Sequence, residues 1–155
     1  MKLNVPSYTQ LEPYSCLPAC IKVMLQFYGT DISEKEIQTA CSTTPAGTLP
    51  NQALAGIQEL GWEATLISAG SINFLLKCLS SGHPIIVFLE VSDLPYGGTG
   101  AHGVVVCGFE DGKIIYMDPS LGREVTLDLV TFLRAWGRMD NQGILIFRAK
   151  IEPRA

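Results

Sequence analysis

The chain has 155 residues, the length of one ordinary domain, and residues 1–155 are predicted to form a single domain. Hydrophobic residues make up 47% and charged residues 17%, a balance that supports a buried core and excludes a disordered tail. The net charge of −4 and the scattering of the eleven Lys and Arg residues argue against a nucleic-acid partner, which would favour a basic patch.

Membrane and secretory signals are weak throughout the sequence. The longest apolar run, residues 85–89, has the length of a strand, and the first residues lack the apolar stretch of a signal peptide. The five cysteines are odd in number and irregularly spaced, which argues against a disulfide framework and fits a reducing compartment. We therefore expect a cytoplasmic protein without a membrane span.

The first half of the chain is predicted to be mainly helical. Residues 1–13 contain two prolines and are expected to be extended. Apolar residues at helical spacing predict a helix over 16–28, with Ser15 as its N-cap and Gly29 as its stop. The elements expected after it are a helix over 33–40, a helix over 51–60, a strand over 62–67 and a helix over 72–79.

The second half of the chain is predicted to be mainly sheet. Glu110-Asp111-Gly112 is typical of a hairpin loop, here taken as three residues long, and a flexible glycine-rich loop is expected over 97–100. The predicted elements are strands over 84–91, 103–108 and 113–117, a helix over 127–136 and a strand over 143–149. Helices followed by sheet indicate an α+β domain.

Cys16 carries the clearest chemical signal. A cysteine in the first turn of a helix lies at the positive end of the helix dipole, beside unpaired backbone N–H groups. Both effects favour the thiolate, which is the attacking form in acyl transfer. The other four cysteines fall inside helical or strand patterns and are interpreted as small core residues: Cys20, Cys41, Cys78 and Cys107.

A metal site is the alternative for Cys16, because Cys20 lies four residues further along the same helix face. Structural zinc usually requires four ligands in two close pairs, and the sequence has no second pair. His83 and His102 are not at ligand spacing from each other. We therefore expect no metal and no other cofactor.

Two histidines are candidates for the base that would activate a cysteine. His83 lies in a turn before Pro84, where a surface role is sufficient. His102 follows the glycine-rich loop and opens a strand of small and apolar residues, a place that packing alone does not explain. We assign His102 as the base; a satisfied histidine at a strand edge is the alternative.

Asp118 follows from the register of the predicted hairpin. A three-residue loop over 110–112 pairs Phe109 with Lys113 and sets His102 opposite Ser120. Asp118 is then diagonal to His102 on the same face, within reach of a polar side chain. A two-residue loop would break this parity, and Asp118-Pro119 is also an ordinary turn starter.

These residues together resemble the C39-type peptidases, papain-like domains known for cutting leader peptides from bacteriocin precursors. The family pattern is a glutamine, a cysteine six residues later before a helix ending in Tyr-Gly, a histidine before a run of valines, and Asp-Pro. The matching residues are Gln10, Cys16, Tyr28-Gly29, His102 with Val104-Val105-Val106, and Asp118-Pro119. The resemblance implies a papain-like fold, in which a helical part carrying the cysteine packs on an antiparallel sheet carrying the histidine and aspartate.

The resemblance also implies a role for each residue. Cys16 would be the nucleophile, and His102 would take its proton and return it to the leaving amine. Asp118 would fix the tautomer of the histidine and stabilise its charged form. Gln10 would donate its side-chain amide to the oxyanion, beside the backbone N–H of Cys16. The substrate would be a peptide or a protein.

The sequence departs from the family pattern beside the nucleophile. Ser15-Cys16-Leu17 stands where the family often has Asp-Cys-Gly, and residues 1–155 contain neither the membrane span nor the ATPase of the bacteriocin exporters. Cleavage after a double glycine is therefore not assumed. Three functions remain open: a cysteine peptidase, an amidase or transpeptidase that uses the same dyad, and a non-catalytic peptide-binding module.

Overall fold

The computed structural model describes residues 1–149; residues 150–155, the end of the predicted single domain, lie outside that range. The helices are α1 (Cys16–Phe27), α2 (Glu34–Ala40), α3 (Pro50–Glu59), α4 (Ile72–Ser80) and α5 (Leu129–Gly137). The strands are β1 (Trp62–Ile67), β2 (Ile85–Glu90), β3 (Ala101–Glu110), β4 (Lys113–Asp118), β5 (Arg123–Asp128) and β6 (Gly143–Arg148). Within residues 1–149, none of the helices is long and apolar enough to cross a membrane.

The strands form one antiparallel sheet in the order β1-β6-β2-β3-β4-β5. From β2 to β5, neighbours in the chain are neighbours in the sheet, whereas the last strand, β6, inserts between β1 and β2. The long, apolar β3 lies in the interior of the sheet, because it pairs on both sides, with β2 and with β4. This arrangement confirms the predicted α+β fold.

Helices cover both faces of the sheet, and each face has its own core. α1, α2 and α3 pack on one face, where the sheet contributes Val105 and Cys107 among others. α4 and α5 pack on the opposite face, which receives Val104 and Val106. Successive residues of β3 therefore enter different cores, as the two-residue period of a strand requires. Burial on both faces explains why β3 reads as a nearly continuous apolar run.

The strand β5 was not predicted, and the predicted helix over 127–136 begins too early. Residues 127 and 128 belong to β5, and Asp128 caps α5 by accepting a hydrogen bond of 3.0 Å from the backbone N–H of Thr131. Pairing along the whole length of β4 makes this segment a strand. The apolar residues of β5 are followed directly by those of α5. The sequence therefore shows no boundary between the two-residue spacing of a strand and the helical spacing that follows it.

Ser15 occupies the N-cap position of α1, as predicted, but its side chain makes no capping hydrogen bond to the helix. Its hydroxyl instead donates to the carbonyl of Glu12 and accepts from the N–H of Glu12, both at 3.0 Å. The side chain thus closes the turn that precedes the helix. The first N–H groups of α1 remain available at the position where Cys16 begins the helix.

The predicted three-residue hairpin loop is also wrong. Glu110 pairs with Lys113, so the loop has only two residues, Asp111 and Gly112, both with positive φ (53° and 74°). Such angles are typical of the type I′ turn, which suits the twist of a hairpin. The register then shifts by one residue at Cys107, where β3 contains a bulge between Val106 and Gly108.

Candidate active site

The first turn of α1 brings Cys16 against the start of β3. The sulfur of Cys16 is 4.0 Å from the place that a Cβ atom would occupy on Gly103. This distance corresponds to ordinary van der Waals packing between the start of α1 and the start of β3. Because Gly103 follows His102 in the chain, the same contact places Cys16 beside the histidine.

His102 and Asp118 form a buried hydrogen-bonded pair. Nε2 of His102 is 2.7 Å from Oδ1 of Asp118, and their side chains are 11% and 0% exposed. His102 and Cys16 are also close enough for each to shift the pKa of the other. Because Nε2 is engaged with the carboxylate, Nδ1 is the ring nitrogen left for the sulfur. The structure thus brings together the three side chains expected to form a triad.

The bulge at Cys107 explains how Asp118 reaches His102 despite the shorter hairpin loop. A two-residue loop moves every later residue of β4 by one position relative to the expected register, which reverses its face. The one-residue bulge moves it back, so that Val105 pairs with Met117. Continued by three residues, this register aligns His102 with Ser120, as expected. The two deviations cancel.

The electrostatics of the pair favour the charged forms of both partners. Burial raises the pKa of Asp118, but the hydrogen bonds and charge of His102, with further donors from Ser120 and Tyr96, lower it to about 2. Burial lowers the pKa of His102, but Asp118 and Cys16 raise it to about 9. The imidazolium form is therefore stable at neutral pH.

The surroundings of Cys16 lower the pKa of its thiol, unlike those of the other thiols. Burial raises its pKa, but the hydrogen bond with His102, backbone hydrogen bonds from Gly103 and Leu17, and the imidazolium charge together lower it. All five thiols are free, and burial raises the pKa of the other four: of Cys20 strongly, of Cys41 to about 11, of Cys78, and of Cys107 to about 12.

Gln10 lies in the loop before α1, and its backbone N–H donates to the carbonyl of Pro119 at 2.9 Å. The residue is therefore tied to the segment that follows Asp118. Its side-chain Nε2 donates to the carbonyl of Glu12 at 2.8 Å and that of Pro13 at 3.3 Å. Its Oε1 is buried without a hydrogen-bond partner among the described residues. The amide hydrogens thus point into the loop itself.

Two residues that contact Asp118 were missed by the sequence reasoning. The N–H and the hydroxyl of Ser120 donate to Oδ1 at 2.8 and 2.6 Å, and the hydroxyl of Tyr96 donates to Oδ2 at 2.6 Å. Asp-Pro-Ser is an Asx-turn signal, so the contact of Ser120 could have been predicted. Tyr96 is 22 residues from Asp118 in a glycine-rich loop, and no local pattern indicates their contact.

A cleft with a volume of about 620 Å³ opens at Cys16 and His102. One group of lining residues consists of Leu17, the loop of residues 45–49 and Pro50, the first residue of α3. A second group comes from β2, β3 and the loop between them, and a third from the turn that follows α5: the second group is Phe88, Val91, Thr99, Ala101, His102 and Gly103. Apart from Cys16 and His102 themselves, and Arg138 and Asp140 in the turn after α5, the side chains that line the cleft are uncharged, which suits an extended segment of peptide backbone.

The second histidine lies elsewhere and has its own partner. Nδ1 of His83 is 3.0 Å from the hydroxyl of Tyr28, at the C-terminal end of α1. Cys16 lies at the opposite end of the same helix. Among residues 1–149, no three His, Cys, Asp or Glu side chains are grouped so as to hold a metal ion.

The sequence profile described as the Peptidase_C39 like family matches residues 2–144, and the chain therefore belongs to that family. The six-stranded antiparallel sheet with its helices is a papain-like peptidase fold. Family and fold together support a cysteine peptidase in general terms. No curated protein matches the chain.

Solved structures of peptidase domains share the fold. The peptidase domain of Streptococcus ComA, a bifunctional ABC transporter of a quorum-sensing pathway, superposes with a TM-score of 0.77 at 20% identity, over 94% of this chain and 100% of that one. A putative C39-like peptidase from Bacillus anthracis gives 0.76 at 18%, over 97% and 100%. A double-glycine-motif protease from an AMS/PCAT transporter, solved with its leader peptide, gives 0.72 at 18%, over 96% and 94%.

Proposed function

We propose that this protein hydrolyses a peptide bond in a peptide or protein substrate, with Cys16 as nucleophile, His102 as acid and base, and Asp118 as the residue that orients His102. The observation that carries the proposal is the 2.7 Å bond between His102 Nε2 and Asp118 Oδ1. A ring held in this way would leave Nδ1 free to exchange a proton with the sulfur of Cys16. We place the protein in the cytoplasm, where its free thiols would stay reduced.

The reaction follows from the charges at rest. The Cys16 thiolate attacks the carbonyl carbon, and the carbonyl oxygen becomes an oxyanion. The His102 imidazolium gives its proton to the leaving amine, so the C–N bond breaks and a thioester remains on Cys16. Water then loses a proton to neutral His102 and attacks the thioester, which releases the acid and restores the thiolate. Asp118 remains ionised throughout and stabilises the imidazolium.

The oxyanion would be stabilised by two donors at the start of α1. One is the backbone N–H of Cys16, which belongs to the first turn and has no partner within the helix. The other is Nε2 of Gln10. To serve there, Gln10 would release the longer of its two hydrogen bonds, the 3.3 Å contact with the carbonyl of Pro13. The bond to Glu12 would keep the side chain in place.

The test is covalent capture followed by a search for cleavage products. A peptide-based electrophile should form a covalent adduct at Cys16, seen as the added mass of one molecule. Incubation of the protein with cell extract should create new N-termini in the proteins of that extract. Cys16→Ala and His102→Ala should abolish both results. His83→Ala should preserve them, because His83 bonds to Tyr28 and not to the sulfur.

The products also separate the alternatives. An acyl group transferred to an amine, in place of a new free carboxylate, would identify a transpeptidase. Release of ammonia from a carboxamide would identify an amidase. A wild-type protein that binds peptides but forms no adduct would be a binding module, and the proposal would be wrong.

A further inference from the structure

The loop between β2 and β3, residues 91–100, contacts both the cleft and the candidate triad. Val91 and Thr99 line the cleft wall. The two ends of the loop are held together, since the N–H of Val91 donates to the carbonyl of Gly100 at 3.0 Å. The carboxylate of Glu90 accepts from the N–H groups of Ser92 and Gly100 at 3.2 and 3.0 Å. The loop is therefore closed at its base.

Tyr96 lies near the tip of this loop, and its hydroxyl points to the carboxylate of Asp118. Oδ1 of Asp118 receives hydrogen bonds from His102 and from both donors of Ser120. Among the described residues 1–149, Oδ2 receives one hydrogen bond, at 2.6 Å, from the hydroxyl of Tyr96. Asp118 is completely buried, so this bond replaces the hydration that Oδ2 would have in water.

The direction of the hydrogen bonds follows from the carboxylate. An ionised carboxylate only accepts, so the single hydrogen of the Tyr96 hydroxyl is donated to Asp118. The neighbouring hydroxyl of Tyr116, 2.7 Å away, must then donate to the oxygen of Tyr96. A chain of donors runs from Tyr116 through Tyr96 to Asp118, and it polarises each successive bond.

We propose that Tyr96 is a positioning residue, which holds the carboxylate of Asp118 so that Oδ1 stays aligned with Nε2 of His102. A carboxylate held at both oxygens cannot rotate about its Cβ–Cγ bond, whereas one held at Oδ1 alone can. Because Tyr96 belongs to the loop that lines the cleft, the arrangement of that wall and the charge state of Cys16 are coupled. The role deepens the proposed function and rests on it.

The experiment measures alkylation of Cys16 by iodoacetamide, which reports the thiolate and requires no peptide substrate. Rates are measured from about pH 4 to about pH 9 for the wild type, Tyr96→Phe, Asp118→Asn and the double variant, with Cys16→Ala as blank. Tyr28→Phe is the matched control. It removes a hydroxyl that bonds to His83. Tyr28 is separated from Cys16 by the length of α1, twelve residues or about 18 Å.

Tyr96→Phe should raise the apparent pKa of Cys16 by less than about 1, because a misaligned Asp118 stabilises the imidazolium less and only part of a hydrogen bond of about 1 kcal/mol reaches the thiolate. In the double variant, loss of the Tyr96 hydroxyl should add nothing to the effect of Asp118→Asn. Phe keeps the aromatic ring of Tyr96 and removes only its hydroxyl, so the melting temperature should fall by no more than a few degrees, as for Tyr28→Phe.

A Tyr96→Phe profile identical to that of the wild type would overturn the inference. So would additive shifts in the double variant, or an equal shift in Tyr28→Phe, since either would indicate a general loosening of the fold. These outcomes are distinct from failure of the proposed function. A wild-type protein without peptidase activity but with fast, Tyr96-dependent alkylation of Cys16 would disprove hydrolysis and retain the positioning role.

Discussion

The surroundings of each sulfur atom determine how the five thiols should react. Cys16 has a lowered pKa, whereas burial raises the pKa of the other four. Sub-stoichiometric iodoacetamide at neutral pH should therefore label Cys16 first, because the thiolate is the reactive form. Peptide mapping of the native protein locates the label. Faster labelling of any other cysteine would show that the nucleophile has been misassigned.

Cys16 and His102 should lose their protons at different pH values, with His102 deprotonating at alkaline pH. His102 loses its proton as the pH rises through about 9, while Cys16, with its lowered pKa, stays a thiolate. Hydrolysis of a peptide should then decline, because no imidazolium remains to protonate the leaving amine. Alkylation by iodoacetamide has no such requirement and should not decline. Parallel pH profiles that fall together would exclude His102 as the general acid.

Gln10 should contribute to turnover far more than to folding. Loss of one oxyanion donor typically lowers turnover about 100- to 1000-fold. Gln10→Ala also removes the two hydrogen bonds to the carbonyls of Glu12 and Pro13, each worth about 1 kcal/mol or less. The melting temperature should therefore fall only slightly while turnover falls strongly.

Gln38→Ala is the matched control for Gln10. It removes another glutamine amide, one that donates to Glu34, whose carboxylate in turn accepts from the N–H of Leu11 in the Gln10 loop. Stability should change similarly in the two variants and turnover should change in Gln10→Ala alone. Normal turnover of Gln10→Ala would exclude the oxyanion role.

Cys16 and His102 could be selected from the sequence because their signals are local. A helix start and a strand start are each visible within a few residues. Tyr96 could not be selected, because its contact with Asp118 depends on the path of a loop between two paired strands. The direction of the Gln10 amide was likewise beyond prediction, since its acceptors are carbonyls of its own turn.

At the scale of whole elements, two helical glycines should respond oppositely to alanine. A Cβ on Gly56 in α3 would lie 2.5 Å from the sulfur of Cys41 and 2.8 Å from backbone atoms of Ala40. Gly56→Ala should therefore force α2 and α3 apart and destabilise the protein by about 1 to 3 kcal/mol. These helices precede and follow the loop that forms one cleft wall.

Gly137→Ala in α5 is the control for Gly56→Ala. Its nearest contact would be an ordinary 3.7 Å from Asn141, so better helix propensity should leave stability unchanged or raise it by up to about 1 kcal/mol. Urea unfolding of both variants measures the difference. Equal effects would mean that helix propensity, and not the α2–α3 contact, governs Gly56.

The elements with long, regular patterns were predictable, and those defined by pairing were not. All five helices and the strands β1, β2, β3, β4 and β6 were expected near their observed positions. β5 lies at the edge of the sheet, with mostly exposed or half-buried residues, and only its pairing with β4 defines it. The bulge at Cys107 has no residue signal, so the correct face for Asp118 was reached through two compensating errors.

At the scale of the whole molecule, protonation of Asp118 should lower the free energy of unfolding at acidic pH. Its pKa is about 2 in the folded protein against an ordinary 3.8, so the unfolded chain binds more protons between these values. This contribution is present above about pH 4, is lost as the pH falls through 2, and amounts to about 2 kcal/mol.

The measurement compares the wild type with Asp118→Asn, which cannot titrate at this position. The difference between their free energies of unfolding should shrink by about 2 kcal/mol from about pH 6 to about pH 2. Acidic groups that contact neither Asp118 nor His102 affect both proteins equally and cancel in the difference. A difference independent of pH would mean that Asp118 is not held as an anion.

The insertion of β6 between β1 and β2 has a consequence for biosynthesis. The ribosome delivers β1 and β2 long before β6, so until β6 emerges β1 has no partner in the sheet and β2 is unpaired on one side. The nascent chain thus carries two vacant edges, which chaperones would have to shield from neighbouring chains on a polysome. The same order makes β6 a natural piece for fragment complementation, since a detached strand would find a slot with partners on both sides.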